Sequence, residues 1–245
     1  MELETAKTNT TEEIDFYKDT DLSVSYHSHD SDNTQNDNKN ENILDISNHS
    51  QASYDNCNDG NNIIHDLKTM RCNNAKNIIV GHLNVNSLRN KFLSIKELLA
   101  SNIDIFLLSE TKLDDSFPIN QFRIEGYRLF RYDRSRFGGG LCLYVHEDIP
   151  CREIECVFLQ GNEFLCVEIN LRKRKWLIIG LYKPPQNNTS LFLEQISNQI
   201  NESLKTYENI LLIGGFNTTP DNIHMKDFLH THDIENLVKS PACFK

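Results

Sequence analysis

Apolar positions in this chain fall into short β-branched runs and two longer stretches at helical spacing, most of them beyond residue 76. Ile78-Ile79-Val80, Ile103 to Leu108, Leu177 to Leu181 and Ile210 to Ile213 each read as a buried strand. Leu141 to Val145 follows three glycines and reads as another. Phe164 to Leu171 and Trp176 to Tyr182 predict a β-hairpin around Arg172-Lys173-Arg174-Lys175. Leu88, Phe92, Ile95, Leu98 and Leu99 recur at helical spacing, with Ser87 placed to cap that helix. Phe192, Ile196, Ile200 and Leu204 mark a second amphipathic helix, and a short one is expected over Met225 to His232. Helices alternating with strands and hairpins predict an α/β fold of stacked layers, helices outside and two sheets inside.

Composition divides the chain in two. Residues 1–76 hold six Lys/Arg against fifteen Asp/Glu, and the rest hold nineteen against twenty, so nearly all of the net charge of −10 lies in the first third. That third has one glycine (Gly60), no proline and Asn/Asp/Ser runs such as Asp30 to Asn38. So few large apolar residues cannot offset chain entropy, which predicts a disordered acidic tail over 1–76 and a domain over 77–245. No signal-like segment opens the chain, and no stretch is apolar enough to span a membrane. Seven cysteines without CxxC spacing, with Cys142 and Cys166 in strand-like runs, predict reduced thiols. The expected location is intracellular, cytoplasm or nucleus, not secreted, with no membrane contact and no obligate protein partner.

Polar groups stand at the ends of four strand runs: Leu83-Asn84-Val85-Asn86, Ser109-Glu110-Thr111, Tyr182-Lys183-Pro184-Pro185 and Gly214-Gly215-Phe216-Asn217. Carboxyl ends of neighbouring strands converge on one rim of a sheet, where open sheets place ligands. Amides, one carboxylate and a phenol are oxygen-rich groups suited to a hard cation and a phosphate. Glu110, straight after an apolar run, would be costly to bury unless paired or bound to a cation. Asn84 and Asn86 share one face of an extended chain, and Asn86 equally suits a turn into the following helix. Arg128, Arg131, Arg134 and Arg136, with Arg172 to Lys175, offer cations for DNA phosphates, or are simply solvated.

The ordered set of these motifs resembles the endonuclease/exonuclease/phosphatase superfamily. Leu83 to Arg89, Ser109-Glu110-Thr111-Lys112-Leu113, Gly126-Tyr127 with Arg131 to Arg134, Gly138-Gly139-Gly140-Leu141 and Tyr182 to Pro185 are similar to the apurinic-type endonuclease domain of non-LTR, jockey-like retrotransposons. The resemblance implies a four-layer α/β sandwich and Mg²⁺-dependent hydrolysis, or nicking, of DNA phosphodiesters to leave a 3′-hydroxyl. It implies Glu110 and Asn84 at the metal, Tyr182 on a phosphate oxygen and Asn217 on the attacking water.

Two features depart from the family pattern. Gly215 stands where the family carries the catalytic Asp, and no Ser-Asp-His motif follows before Lys245. The resemblance therefore implies a C-terminally incomplete domain with an open sheet edge, retaining the architecture of an endonuclease and at most a weak hold on DNA. Loss of a positioned acid/base group costs roughly 10²–10⁴-fold in rate, so the expectation is an enzyme fold inactive as written. Two alternatives stay open. One is an active phosphoesterase on another substrate, such as a phosphoinositide or sphingomyelin. The other is a non-catalytic nucleic-acid or protein binding module.

Overall fold

A computed structural model describes residues 24–28, 59–100, 103–155, 161–219 and 221–236, with 24–28 and 59–63 described as backbone alone. The ten strands are β1 (Val24–Ser28), β2 (Val80–Asn84), β3 (Ile105–Ser109), β4 (Tyr127–Tyr132), β5 (Leu141–His146), β6 (Cys151–Ile154), β7 (Glu163–Leu171), β8 (Arg174–Tyr182), β9 (Asn209–Gly215) and β10 (Glu235–Asn236). The four α-helices are α1 (Asp59–Asn73), α2 (Leu88–Ala100), α3 (Thr189–Ser203) and α4 (Ile223–Thr231).

The strands form two mixed sheets. One has the order β2-β3-β5-β4, with β2 and β3 parallel. The other has the order β10-β1-β9-β8-β7-β6, with β8 and β9 parallel. Uninterrupted apolar runs give each inner strand two apolar faces, so each sheet is covered on both sides. Ile105, Leu107, Leu143 and Val145 of the first sheet pack between the sheets against Val167, Ile178, Leu211 and Ile213 of the second. Phe106, Leu108 and Tyr144 turn outward to meet Leu88, Ile95 and Leu99 of α2. Leu177, Ile179 and Leu212 turn outward to meet Phe192, Ile196 and Ile200 of α3 and Phe228 of α4. The result is the expected four-layer α/β sandwich.

Several boundaries differ from the sequence reading. The first strand runs to Asn84 rather than stopping at Val80. Its polar end therefore belongs to the ladder, where Asn84 sits opposite Ser109. The hairpin closes through a two-residue turn in which Arg172 (φ 48°) and Lys173 (φ 68°) both adopt left-handed backbone, matching the twist of the flanking strands.

The segment expected to be a disordered tail contains two elements. α1 buries Leu67 in the α2 core, and Arg71 pairs with Asp104 and donates to the Asn77 carbonyl (2.9 Å). Ile64 and Met70 pack beside Leu67, so a few apolar residues and one arginine dock a helix whose average composition is polar. β1 lies antiparallel on β9, Val24 opposite Ile213, so the free side of β9 is not the open edge that the resemblance implied. The rest of the tail expectation lies outside the described residues.

Cys142 is buried and free, its thiol pushed up by burial. Cys166, expected to be reduced, is disulfide-bonded, which irregular spacing gave no means to foresee. Among the described residues no helix is long and apolar enough to cross a membrane.

His82, on β2, is fully buried and shares a 2.9 Å hydrogen bond with the Ser109 hydroxyl. Burial lowers its pKa from 6.5 to about 3. The unfolded chain therefore binds a proton that the folded chain refuses, and stability falls as pH drops from about 6.5 towards 3. Full desolvation of one imidazolium on this scale is on the order of 5 kcal/mol. Denaturant midpoints across that window should show the loss, and His82→Gln should flatten it. Equal slopes for both proteins would mean that His82 does not carry the acid sensitivity.

Candidate active site at the strand ends

β2, β3, β8 and β9 end on one rim, and the backbone there is held away from its relaxed geometry. Asn86 (φ 42°), Ser87 (101°), Glu110 (57°), Lys112 (54°) and Asn217 (44°) all have positive φ without being glycine. Such backbone persists only where its surroundings over-determine it. Here they do. Val85 N–H donates to Ser109 O (2.9 Å), Ser87 N–H to Glu110 O (2.8 Å) and Leu88 N–H to Thr111 O (2.9 Å). On the other side Lys112 N–H donates to Gly139 O (2.8 Å). Ser87 is thus tied to the turn at Glu110 by its own N–H.

Glu110 accepts from the Tyr182 hydroxyl through one carboxylate oxygen and from the Gly139 N–H (2.9 Å) through the other. Burial first, and the Glu110 carboxylate second, push the Tyr182 phenol up. It therefore stays protonated at neutral pH and serves as a hydrogen-bond donor. Asn217 donates from Nδ2 to the Lys183 carbonyl (2.6 Å), and its amide works against the upward shift of Tyr182. Three of the four expected residues, Glu110, Tyr182 and Asn217, thus gather at one point of the rim, with Glu110 and Tyr182 joined directly. Asn84 lies on the same rim, but its Oδ1 accepts from the Asn86 N–H (3.1 Å), and Asn86 accepts from Lys112 Nζ. Asn86 is the turn residue that one sequence reading proposed.

Glu163, which was not foreseen, and Arg134, expected to meet DNA phosphates, complete the site. Glu163 opens β7 directly opposite Tyr182 and is almost wholly buried. It accepts from Arg134 (2.7 Å) and from the Gly140 N–H (2.6 Å). Burial pushes this carboxyl up, against the lowering pull of Arg134 and Gly140. A Glu beside Gly161-Asn162 looks like an exposed turn charge, and only sheet packing buries it.

The arginines expected to meet DNA are largely occupied. Arg131 pairs with Asp133, Arg134 with Glu163 and Arg136 with Asp114, while Arg128 donates to the Cys151 carbonyl. The basic hairpin tip closes the far end of the two nine-residue strands whose near end carries Glu163 and Tyr182. At about 3.3 Å per residue that is roughly 26 Å from the rim.

Gly214 and Gly215 end β9 for different reasons. Gly214 has φ 141°, and a Cβ there would strike the Leu181 backbone, including its N at 3.0 Å. A Cβ on Gly215 would approach Tyr182 Cδ2 at 3.0 Å and Cε2 at 3.4 Å, which a ring shift of a few tenths of an ångström relieves. An aspartate is thus absent at 215 for no steric reason.

Among the described residues no group of three or more His, Cys, Asp or Glu is placed to hold a metal. One carboxylate (Glu110) with a nearby amide oxygen (Asn84) does suit Mg²⁺, which retains several waters and takes one or two protein oxygens.

A family model described as the Endonuclease/Exonuclease/phosphatase family matches residues 81–235. The chain belongs to that family. No curated protein sequence matches it. Solved structures similar to this Endonuclease/Exonuclease/phosphatase chain include the endonuclease domain of TRAS1, a telomere-specific non-LTR retrotransposon, at 16% identity and a TM-score of 0.46, covering 62% of this chain and 68% of that one. An AP endonuclease from Archaeoglobus fulgidus is 20% identical with a TM-score of 0.44, covering 62% and 63% respectively. The catalytic domain of human Nocturnin is 15% identical with a TM-score of 0.44, covering 59% and 62%. This chain spans less than two thirds of the length of the last two.

The glycine loop of this family member yields a stability prediction. Gly139 has φ 74°, and a Cβ there would collide with Glu163 and with Arg134 Cδ (2.7 Å). Gly126 has φ 81° and nothing within 4 Å of its Cβ position. Gly126→Ala should cost about 1–2 kcal/mol from backbone strain alone. Gly139→Ala adds displacement of the partly exposed Arg134 from the buried Glu163, a further loss of roughly 1–3 kcal/mol. Denaturant unfolding of the two variants checks the difference, and equal losses would show that the ion pair contributes nothing.

Proposed function

We propose that the chain is a retrotransposon-type endonuclease domain that has lost its catalytic acid, the ancestral reaction being Mg²⁺-dependent nicking of DNA phosphodiesters. Its place of action would be the cytoplasm or nucleus. The observation that carries this reading is the Glu110–Tyr182 hydrogen bond, with Asn217 on the same rim and a glycine at 215, in a member of a family of nucleases and phosphatases.

The residues divide the work as follows. Glu110, with Asn84, would hold Mg²⁺, which when bound supplies Lewis acidity towards a phosphate oxygen. Tyr182, kept protonated, donates a hydrogen bond and can transfer it from Glu110 to a phosphate oxygen. Asn217, anchored by the Lys183 carbonyl, presents an amide that orients a water for in-line attack on phosphorus. That water must surrender a proton as the new P–O bond forms and the bond to the leaving 3′-oxygen breaks. Gly215 lies opposite Tyr182 in the ladder and has no side chain to accept the proton. The missing step leaves binding groups in place and removes roughly 10²–10⁴-fold in rate.

The same observation favours, as a second reading, a module that binds nucleic acid without cleaving it. With Mg²⁺ and supercoiled plasmid, the unaltered chain should leave the plasmid intact while still retarding it at low salt. Glu110→Ala should leave that metal-independent retardation unchanged. Metal-dependent nicking by the unaltered chain, abolished by Glu110→Ala, would overturn inactivity. Turnover of a lipid phosphoester alone would overturn the DNA assignment.

A further inference from the structure

We propose that Phe137 is a specificity residue that stacks on an unpaired DNA base beside the scissile phosphate, an inference resting on the DNA reading above. Phe137 is 87% exposed, the most exposed of the large apolar side chains in the described residues. Single exposed apolar residues are ordinary on protein surfaces. Leu93, Leu191 and Ile223 belong to helices of the outer layers and need no further account. Phe137 differs in where it stands and in how firmly its backbone is held.

The loop that carries it is fastened on both sides to the carboxylates of the site. Arg134 is bonded to Glu163 (2.7 Å), and Gly139 N–H to Glu110 (2.9 Å). A Cβ on Gly138, the next residue, would lie 4.0 Å from Glu110 Oε2. Within the turn, Gly138 N–H donates to Ser135 O (3.3 Å), the Ser135 hydroxyl donates to Gly138 O (3.2 Å), and Phe137 N–H reaches Ser135 Oγ (3.4 Å). Arg136 is drawn aside by Asp114 (2.9 Å) and Ser116 (3.3 Å). The ring is therefore presented to solvent at the rim, just after two arginines already committed to acids of the protein.

Those commitments decide what the loop can read. Its cations are paired, so phosphate recognition is weak there, and the available group is an aromatic face. Aromatic faces bind bases by stacking, without regard to sequence. Paired bases in a duplex have their faces covered by neighbours and offer only edges. The geometry thus selects single-stranded, mismatched or extruded bases over intact duplex, adjacent to the carboxylate assigned to the phosphate.

Equilibrium binding of the full chain to a fluorescent single-stranded oligonucleotide and to the same sequence as duplex, in EDTA to exclude hydrolysis, tests this. Phe137→Ala should weaken single-strand binding by about 5- to 150-fold, corresponding to roughly 1–3 kcal/mol per stacked base. Phe137→Trp should retain the affinity, and Phe137→Leu, apolar but without a ring, should fall with alanine. Duplex affinity should change by much less. The slope of log affinity against log salt should not move, because no phosphate contact is removed. Unchanged single-strand affinity in Phe137→Ala, or equal losses on both substrates, would overturn the stacking role and leave the DNA reading standing. Absence of binding to either substrate by the unaltered chain would overturn both.

Discussion

Two carboxylates from different sheets can share one rim only because backbone N–H groups and one arginine neutralise their burial. Glu163 belongs to β7 of one sheet and is held by Gly140, which leads into β5 of the other. Glu110 follows β3 of the second sheet and is held by Tyr182 at the end of β8 of the first. Each bond crosses the interior of the sandwich at the same end. An unpaired carboxylate buried like Glu163 would cost several kcal/mol. Removing a partner would therefore open the sheets at the point where the site is assembled. The apolar layer between the sheets gives cohesion without direction, and these crossed polar bonds give the rim its register.

That constraint explains why the loop before β5 matters to the chemistry without touching it. Gly139 and Gly140 present successive N–H groups to the two carboxylates, one each. Successive N–H groups converging on anions require left-handed backbone, and Gly139 has φ 74° and Gly140 93°. Arg134 reaches back across the same turn to Glu163, so the space beside Gly139 is already filled. The position of Glu110 is thus set in part by the Arg134–Glu163 pair, which fixes the turn that carries Gly139.

Much of this was legible in the chain, for physical reasons that also mark where legibility ends. Strands buried on both faces leave uninterrupted apolar runs, and polar residues at their ends are conspicuous by contrast. Glu110, Tyr182 and Asn217 could be found that way, and the structure brings them to one rim. Glu163 could not, because a glutamate after Gly-Asn has the same sequence signature whether solvated or buried. The pairing of Arg134 and Arg136 went unseen for a related reason: charge along a sequence shows supply and not demand, and the acids that take it up, Glu163 and Asp114, lie some twenty to thirty residues away. Docking of α1 escaped notice because composition averages away a few apolar residues.

The proposed loss of an acid at 215 is compatible with an intact rim because the two rest on different atoms. The left-handed backbone at Glu110 and Asn86 is held by hydrogen bonds between β2, β3 and the glycine loop, none of which involves a side chain at 215. The Tyr182 hydroxyl is placed by Glu110, and the Asn217 amide by the Lys183 carbonyl. Gly215 contributes its backbone, whose carbonyl accepts from Lys183 N–H (2.8 Å), and a glycine does this as well as an aspartate. On the proposed reading a missing acid removes a proton acceptor and leaves the clamps and the rim in place, so binding would outlast cleavage because the hydrogen bonds that shape the rim involve no side chain at 215.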